Sequence, residues 1–319
     1  MVFYVYTDPD IISIAKDRGQ DSLQILVGIL RNFVDNCFLT EFEDYRIQDT
    51  ISRHVENIPE KFFERKQIKS LLSTLQKRNR FIYCLAPDYS GAKSNLEIVL
   101  ENATELLIDL LLLGNSEIEI DNSSDAEITD LSKYQNTNFA DKRSKSMIRV
   151  FSGDEFSEQD FLDLHYKKAL MYCTRLEICD TIFGRYFGDN FDYSIEFLFK
   201  WLSQIHSNTN ELKIIIHCEK PNGQSDIYIK NRLERHKQQS LTNTKIEIIF
   251  YESEDGSRCL PHERFFITDQ IGFDIGRGMD FLNPNTHRNR DTKVGIINPV
   301  DIEKLIEKYS DYKLATIEI

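Results

Sequence analysis

The sequence has no apolar run long enough to cross a bilayer. Its most apolar stretch is Leu106–Leu113, with Asp109 inside it, whereas a spanning helix needs about 20 such residues. No cysteine pair stands at redox or zinc spacing either. Cys37, Cys84, Cys173, Cys179, Cys218 and Cys259 are scattered, and with no secretory leader in view they read as reduced thiols of a cytoplasmic protein. Positive charge is in deficit: 39 basic residues face 52 acidic ones, a net charge of −13. That argues against a general nucleic-acid coat while leaving room for a local basic cleft. The deficit is uneven, since residues 1–140 carry 14 basic and 23 acidic groups and residues 141–319 carry 25 and 29. There is also no internal repeat at solenoid periods and no low-complexity segment.

What the chain does have is 319 residues, 41% of them hydrophobic, enough for two domains with cores of their own. In the first part, Val2–Thr7 and Phe81–Leu85 read as buried strands. Asp21–Phe38, Ile47–Val55, Glu60–Lys77 and Leu96–Leu113 read as helices, the last closed by Gly114. This gives a small α/β unit over residues 1–116. Residues 117–143, rich in Asn, Ser, Asp and Thr, have linker composition, and the boundary falls near residue 140. A second domain over 144–319 alternates strands and helices: Met147–Phe151, Ser157–Tyr172, Leu176–Asp180, Phe191–Ile205, Leu212–Cys218, Ile227–Gln238, Lys245–Tyr251, a hairpin, Val294–Ile297 and Pro299–Tyr309. The fold class is therefore α/β.

The acidic first domain offers two chemical features. Asp8 and Asp88 each follow an apolar strand, where open α/β sheets bind ligands. Glu97, Glu101, Glu105 and Asp109 recur every four residues and would share one helix face. Clustered carboxylates with Mg²⁺ would suit a PIN-like metal nuclease; a solvated helix face and turn-capping aspartates explain the same residues. His165, His206 and His217 sit in helix or strand patterns with no second ligand at metal spacing, so no metal site is assigned to them.

The most informative stretch is Pro261–Asn283. Glu263–Thr268 and Phe273–Ile275 read as the strands of a hairpin around Asp269–Gly272. His262 and Arg264 share one parity. An imidazole beside a guanidinium suits a bound phosphate, one as nucleophile or proton carrier and the other as a planar fork of donors. Gly276–Arg277–Gly278 adds a second guanidinium between residues that let backbone approach a ligand. Within the expected helix Ile227–Gln238, Lys230, Arg232, Arg235, His236 and Lys237 form a basic face, either solvated or aimed at phosphate.

His262–x–Arg264, four residues, Asp269, six residues and Gly276 resemble the HxK–x4–D–x6–G signature of the phospholipase D superfamily. The segment Gly276–Arg277–Gly278–Met279–Asp280–Phe281 is more similar still to the phospholipase D-like domain that follows the microtubule-interacting-and-trafficking module in a eukaryotic membrane-remodelling protein, and to its bacterial relatives. Here Arg264 stands at the superfamily lysine, Arg277 and Met279 stand at the serine and asparagine of GSxN, and the signature occurs once. The resemblance covers about Met147–Asn298 and implies a mixed sheet with helices on both faces. It implies His262, Arg264 and Asp269 as catalytic residues and Gly276, Arg277 and Gly278 as phosphate-binding ones, with Asp180 and Arg185 near the cleft.

The activity so implied is a metal-independent phosphodiesterase or nuclease, working through a phosphohistidine in a homodimer, and for the bacterial relatives a role in anti-phage defence. The acidic first domain would then act as a sensor, a regulator or a dock for a protein partner. Two other readings stand beside it: a non-catalytic module for nucleic acid, anionic lipid or a protein partner, and a Mg²⁺-dependent nuclease in the first domain.

Overall fold

A computed structural model describes residues 1–41, 47–84, 95–114, 125–152, 157–181, 183, 188–206, 211–220, 225–252, 259–283 and 291–319. The chain forms two units, Met1–Met147 and Ile148–Ile319, both α/β.

The first unit is built on β1 (Phe3–Thr7), β2 (Cys37–Glu41), β3 (Phe81–Tyr83), β4 (Ile108–Leu113) and β5 (Glu127–Asp130). These pair in the order β3-β2-β1-β4-β5, every neighbour parallel. All five residues of β1 are buried, the pattern of a parallel strand covered on both faces. The helices are α1 (Ile11–Asp17), α2 (Gln20–Asn36), α3 (Ile47–Glu56), α4 (Phe63–Lys77), α5 (Asn95–Asn102) and α6 (Asn138–Lys145). In α2, Leu23, Leu26, Val27, Leu30 and Phe33 supply the buried helical stripe.

Two sequence expectations are corrected here. The helix expected over Leu96–Leu113 stops at Asn102, the chain turns through Leu107 at a φ of 57°, and Ile108–Leu113 is β4. A short apolar run buried on all sides carries no period to tell strand from helix. The acidic stripe consequently does not exist: Asp109 lies on β4, where its Oδ2 accepts the Tyr4 N–H at 2.8 Å beside a register shift. Gly114 follows a strand, and not a helix as expected.

The linker expected over 117–143 is also displaced. β5 pairs with β4, Tyr134 is fully buried, and Phe139 of α6 packs on Phe3 at 5.3 Å. Polar residues there serve caps and turns: Asp130 Oδ1 accepts from Ser132 N, Ser132 Oγ and Lys133 N, and Thr137 caps α6 through Ala140 N.

The second unit holds β6 (Ile148–Ser152), β7 (Arg175–Cys179), β8 (Lys213–Glu219), β9 (Lys245–Tyr251), β10 (Phe265–Thr268), β11 (Gly272–Ile275), β12 (Asp291–Ile297) and β13 (Lys313–Glu318). They form one mixed sheet in the order β13-β9-β8-β7-β10-β11-β12-β6. Only β7, β8 and β9 run parallel; every other neighbour is antiparallel. The helices are α7 (Glu158–His165), α8 (Lys167–Leu170), α9 (Asp189–Ile205), α10 (Asp226–Ser240) and α11 (Pro299–Glu307). They cover both faces. Tyr166, between α7 and α8, packs on Phe266 and Phe273 at 5.4 and 5.0 Å. Ile302 and Ile306 of α11 join Cys179, Phe265 and Ile267, whose strand parity is the opposite one.

Candidate functional site

Because β10 runs antiparallel to β7, with Phe265 opposite Cys179, the residue before β10 and the residue after β7 meet at one end of these two central strands. Those residues are Arg264 and Asp180. Asp180 is fully buried; Arg264 Nε lies 3.4 Å from its Oδ1, and its Oδ2 accepts the Met279 N–H at 2.9 Å. Arg264 Nη1 also donates to the Gly276 carbonyl at 3.1 Å. A buried carboxylate is tolerated when it is paired and hydrogen-bonded, and this one receives a cation and an amide at once.

Gly278 closes the knot. Its φ is 68°, and a Cβ there would stand 2.2 Å from both Arg264 Cδ and Asp180 Oδ2. Only glycine lets the turn lie on the pair. Gly276 has no such demand, since a Cβ would meet only ordinary contacts with Lys293, the nearest at 3.5 Å. Arg277, between them, is half-buried and lines a cavity of about 10 Å³ with Phe161, Tyr166 and Phe266, space for about one water. His262 is exposed, two residues before Arg264 and three before β10 begins.

Asp180, Arg264, Gly276 and Gly278 thus come together, while Arg277 lines the neighbouring cavity and His262 stands exposed two residues before Arg264. Asp269 does not join them. It sits at the other end of the four-residue β10, where its carboxylate accepts from Thr174 N at 3.0 Å and Thr174 Oγ1 at 3.1 Å. Its placement among the catalytic residues is corrected to a fastening between the hairpin tip and the start of β7. Arg185 and Asp88 lie outside the described residues.

In the first unit Asp8 ends β1 beside β4, where the strand order reverses. Its Oδ1 accepts from Asp10 N at 2.9 Å and its Oδ2 from Gly114 N at 3.2 Å. Among the described residues, no three His, Cys, Asp or Glu side chains are grouped as a metal site would require. The expected basic face of α10 is largely spoken for: Arg232 Nε donates to Asp192 Oδ1 at 3.0 Å, His236 Nε2 lies 2.7 Å from the same oxygen, and Lys237 Nζ donates to the Ile319 carbonyl at 2.9 Å.

One polar chain escaped the sequence reading. Tyr251 Oη is 3.0 Å from His217 Nδ1, and His217 Nε2 is 3.1 Å from Glu177 Oε2, all three side chains buried on the α11 side of the sheet. Burial pushes the Glu177 carboxyl up, but the hydrogen bond and charge of His217, with Arg175 and Lys213, outweigh it and hold it below the usual carboxylate range. The signal available was parity: Glu177 and His217 occupy buried positions on adjacent apolar strands, and the pairing that joins them was not legible. His206 Nε2 meets the Cys173 carbonyl at 2.6 Å, while burial lowers His165 to about 3. Burial likewise raises the Cys37, Cys173 and Cys179 thiols, which makes them poor nucleophiles.

No protein-family model matches the chain, and a search of curated proteins finds no significant relative.

Proposed function

We propose that the second unit is a non-catalytic phospholipase D-like module that recognises a phosphate-bearing ligand at the hairpin edge, with His262 as an outward contact. The observation that carries this is the commitment of Arg264 to buried Asp180 and to the Gly276 carbonyl. A guanidinium whose charge is met by a carboxylate within the protein has less left for a phosphoryl oxygen in a transition state. It serves better as the frame for a rigid turn. The site stands at the carboxyl end of β7, the side on which sheets of this class gather ligands.

A second reading keeps the chemistry: a metal-independent phosphodiesterase in a homodimer, in which His262 attacks phosphorus and a partner's histidine protonates the leaving oxygen. The exposure of His262 favours it. One experiment separates the two. The full chain is titrated with single- and double-stranded DNA and RNA and with anionic vesicles, in EDTA, and the nucleic acids are then examined for cleavage. Binding without cleavage, weakened several-fold by His262→Ala at unchanged melting temperature, is the expected result. Cleavage in EDTA that vanishes in His262→Ala would replace it with the enzymatic reading, and a dimer by light scattering would have to accompany it.

A further inference from the structure

Helix α4 carries a second stripe beside its core-facing one. Glu64, Ile68, Leu72 and Leu75 are buried, whereas Phe63, Lys66, Gln67, Ser70 and Leu71 lie at i, i+3, i+4, i+7 and i+8 along a neighbouring line. With Arg31 of α2 they line a groove of about 330 Å³, within the range of small-ligand sites. Three features of this groove are unaccounted for by folding. Phe63 is 66% exposed, although it belongs by type to a core. Arg31 and Lys66 have no carboxylate within ion-pair distance among the described residues, whereas their neighbours Arg65 and Lys69 both pair with Glu56. Gln67 Oε1 is buried with no hydrogen-bond partner among the described residues.

We infer that this groove binds a nucleoside phosphate. The flat ring of Phe63 offers a stacking surface for a base. Arg31 and Lys66 meet the phosphate. Phe63 and Ser70 are seven residues apart, about 10 Å along the helix, a span that suits an extended mononucleotide. Charge complementarity selects an anion: the lining has two cations and no carboxylate, on a unit whose residues 1–140 are otherwise acidic in excess. An acidic peptide would satisfy the cations, but it would leave the exposed ring without a partner.

The test is calorimetric titration of the full chain with AMP, ribose 5-phosphate and inorganic phosphate. AMP is expected to bind with a submillimolar dissociation constant, and the two probes without a base at least about tenfold more weakly, in line with stacking energies measured by alanine substitution. Phe63→Ala should weaken AMP by about tenfold and leave inorganic phosphate unchanged; Lys66→Ala should weaken both. These side chains are exposed or rim the groove, and unchanged melting temperatures will show that the fold is kept. Absence of saturable AMP binding, equal affinity for AMP and ribose 5-phosphate, or an affinity indifferent to Phe63→Ala overturns the inference. So does a polyglutamate peptide that outcompetes AMP. None of these results bears on His262, so this site and the hairpin edge stand or fall separately.

Discussion

Asp8 and Asp180 invite comparison because the same local signature announces both: a short, largely buried strand and then an aspartate. Asp8 keeps some exposure and collects two backbone N–H groups from Asp10 and Gly114. Asp180 is sealed from solvent and collects the Met279 N–H and the Arg264 guanidinium. The first is a turn cap that water still helps to solvate. The second is a buried charge, met by residues some 84 to 99 positions downstream that return to it. Strand-end aspartates are therefore ambiguous by themselves, and what decides their role is which distant segment the sheet order brings alongside.

The largest expected effect tests the buried charge directly. Asp180→Ala leaves Arg264 facing a void and strands the Met279 amide, and breaking a buried pair from one side costs about 3–5 kcal/mol. Urea unfolding of the second unit should report it. Asp180→Ala combined with Arg264→Ala should cost clearly less than the sum of the two single changes, because each alone orphans the other. If the costs simply add, the two residues do not act as a pair and the contrast with Asp8 disappears. Next in size is Gly278→Ala. Its left-handed backbone and the 2.2 Å approach of the added Cβ to Arg264 and Asp180 give about 2–3 kcal/mol from strain and overpacking together.

The same comparison shows how much was legible beforehand. The α/β class, the α9 and α10 helices, the β7–β9 strands and the hairpin were visible, since period and turn chemistry agree in those segments. Asp180, Arg264, Gly276 and Gly278 were singled out, yet their mutual arrangement depends on β10 lying antiparallel to β7, and pairing partners leave no local mark. β4 reads as helix in the sequence because Ile108–Leu113 is buried almost throughout and so carries no period of its own. The resemblance to the phospholipase D signature groups Asp269 with the catalytic residues, but the four residues between it and Arg264 are a strand, which holds the two at opposite ends. Phe63 is apolar by type, yet it lies on the line beside the core-facing stripe of α4, and helical spacing alone does not say which of two overlapping stripes meets the core.

Asp8→Ala should matter less than Asp180→Ala. It deprives two turn amides of an acceptor at a site that is partly wet, so water replaces much of what is lost and the expected cost is about 1 kcal/mol. A cost on the scale of a buried ion pair would mean that Asp8 holds a charge partner of its own.

The smallest effect separates the two glycines of the Gly276–Arg277–Gly278 turn. Sequence reasoning gave both the same task of letting backbone approach a phosphate. In the fold, Gly278 is required by the pair beneath it, whereas a Cβ on Gly276 would stand 3.5 Å from Lys293 N and 3.7 Å from Lys293 Cβ, ordinary packing distances. Gly276→Ala removes unfolded-state freedom at a position that accepts a side chain, which is stabilising by about 0.4–1 kcal/mol when no strain opposes it. Its melting temperature should therefore be unchanged or slightly raised while that of Gly278→Ala falls. If ligand binding is nevertheless lost in Gly276→Ala with the fold intact, the glycine is needed by the ligand and not by the chain, and the phosphate site extends over the turn.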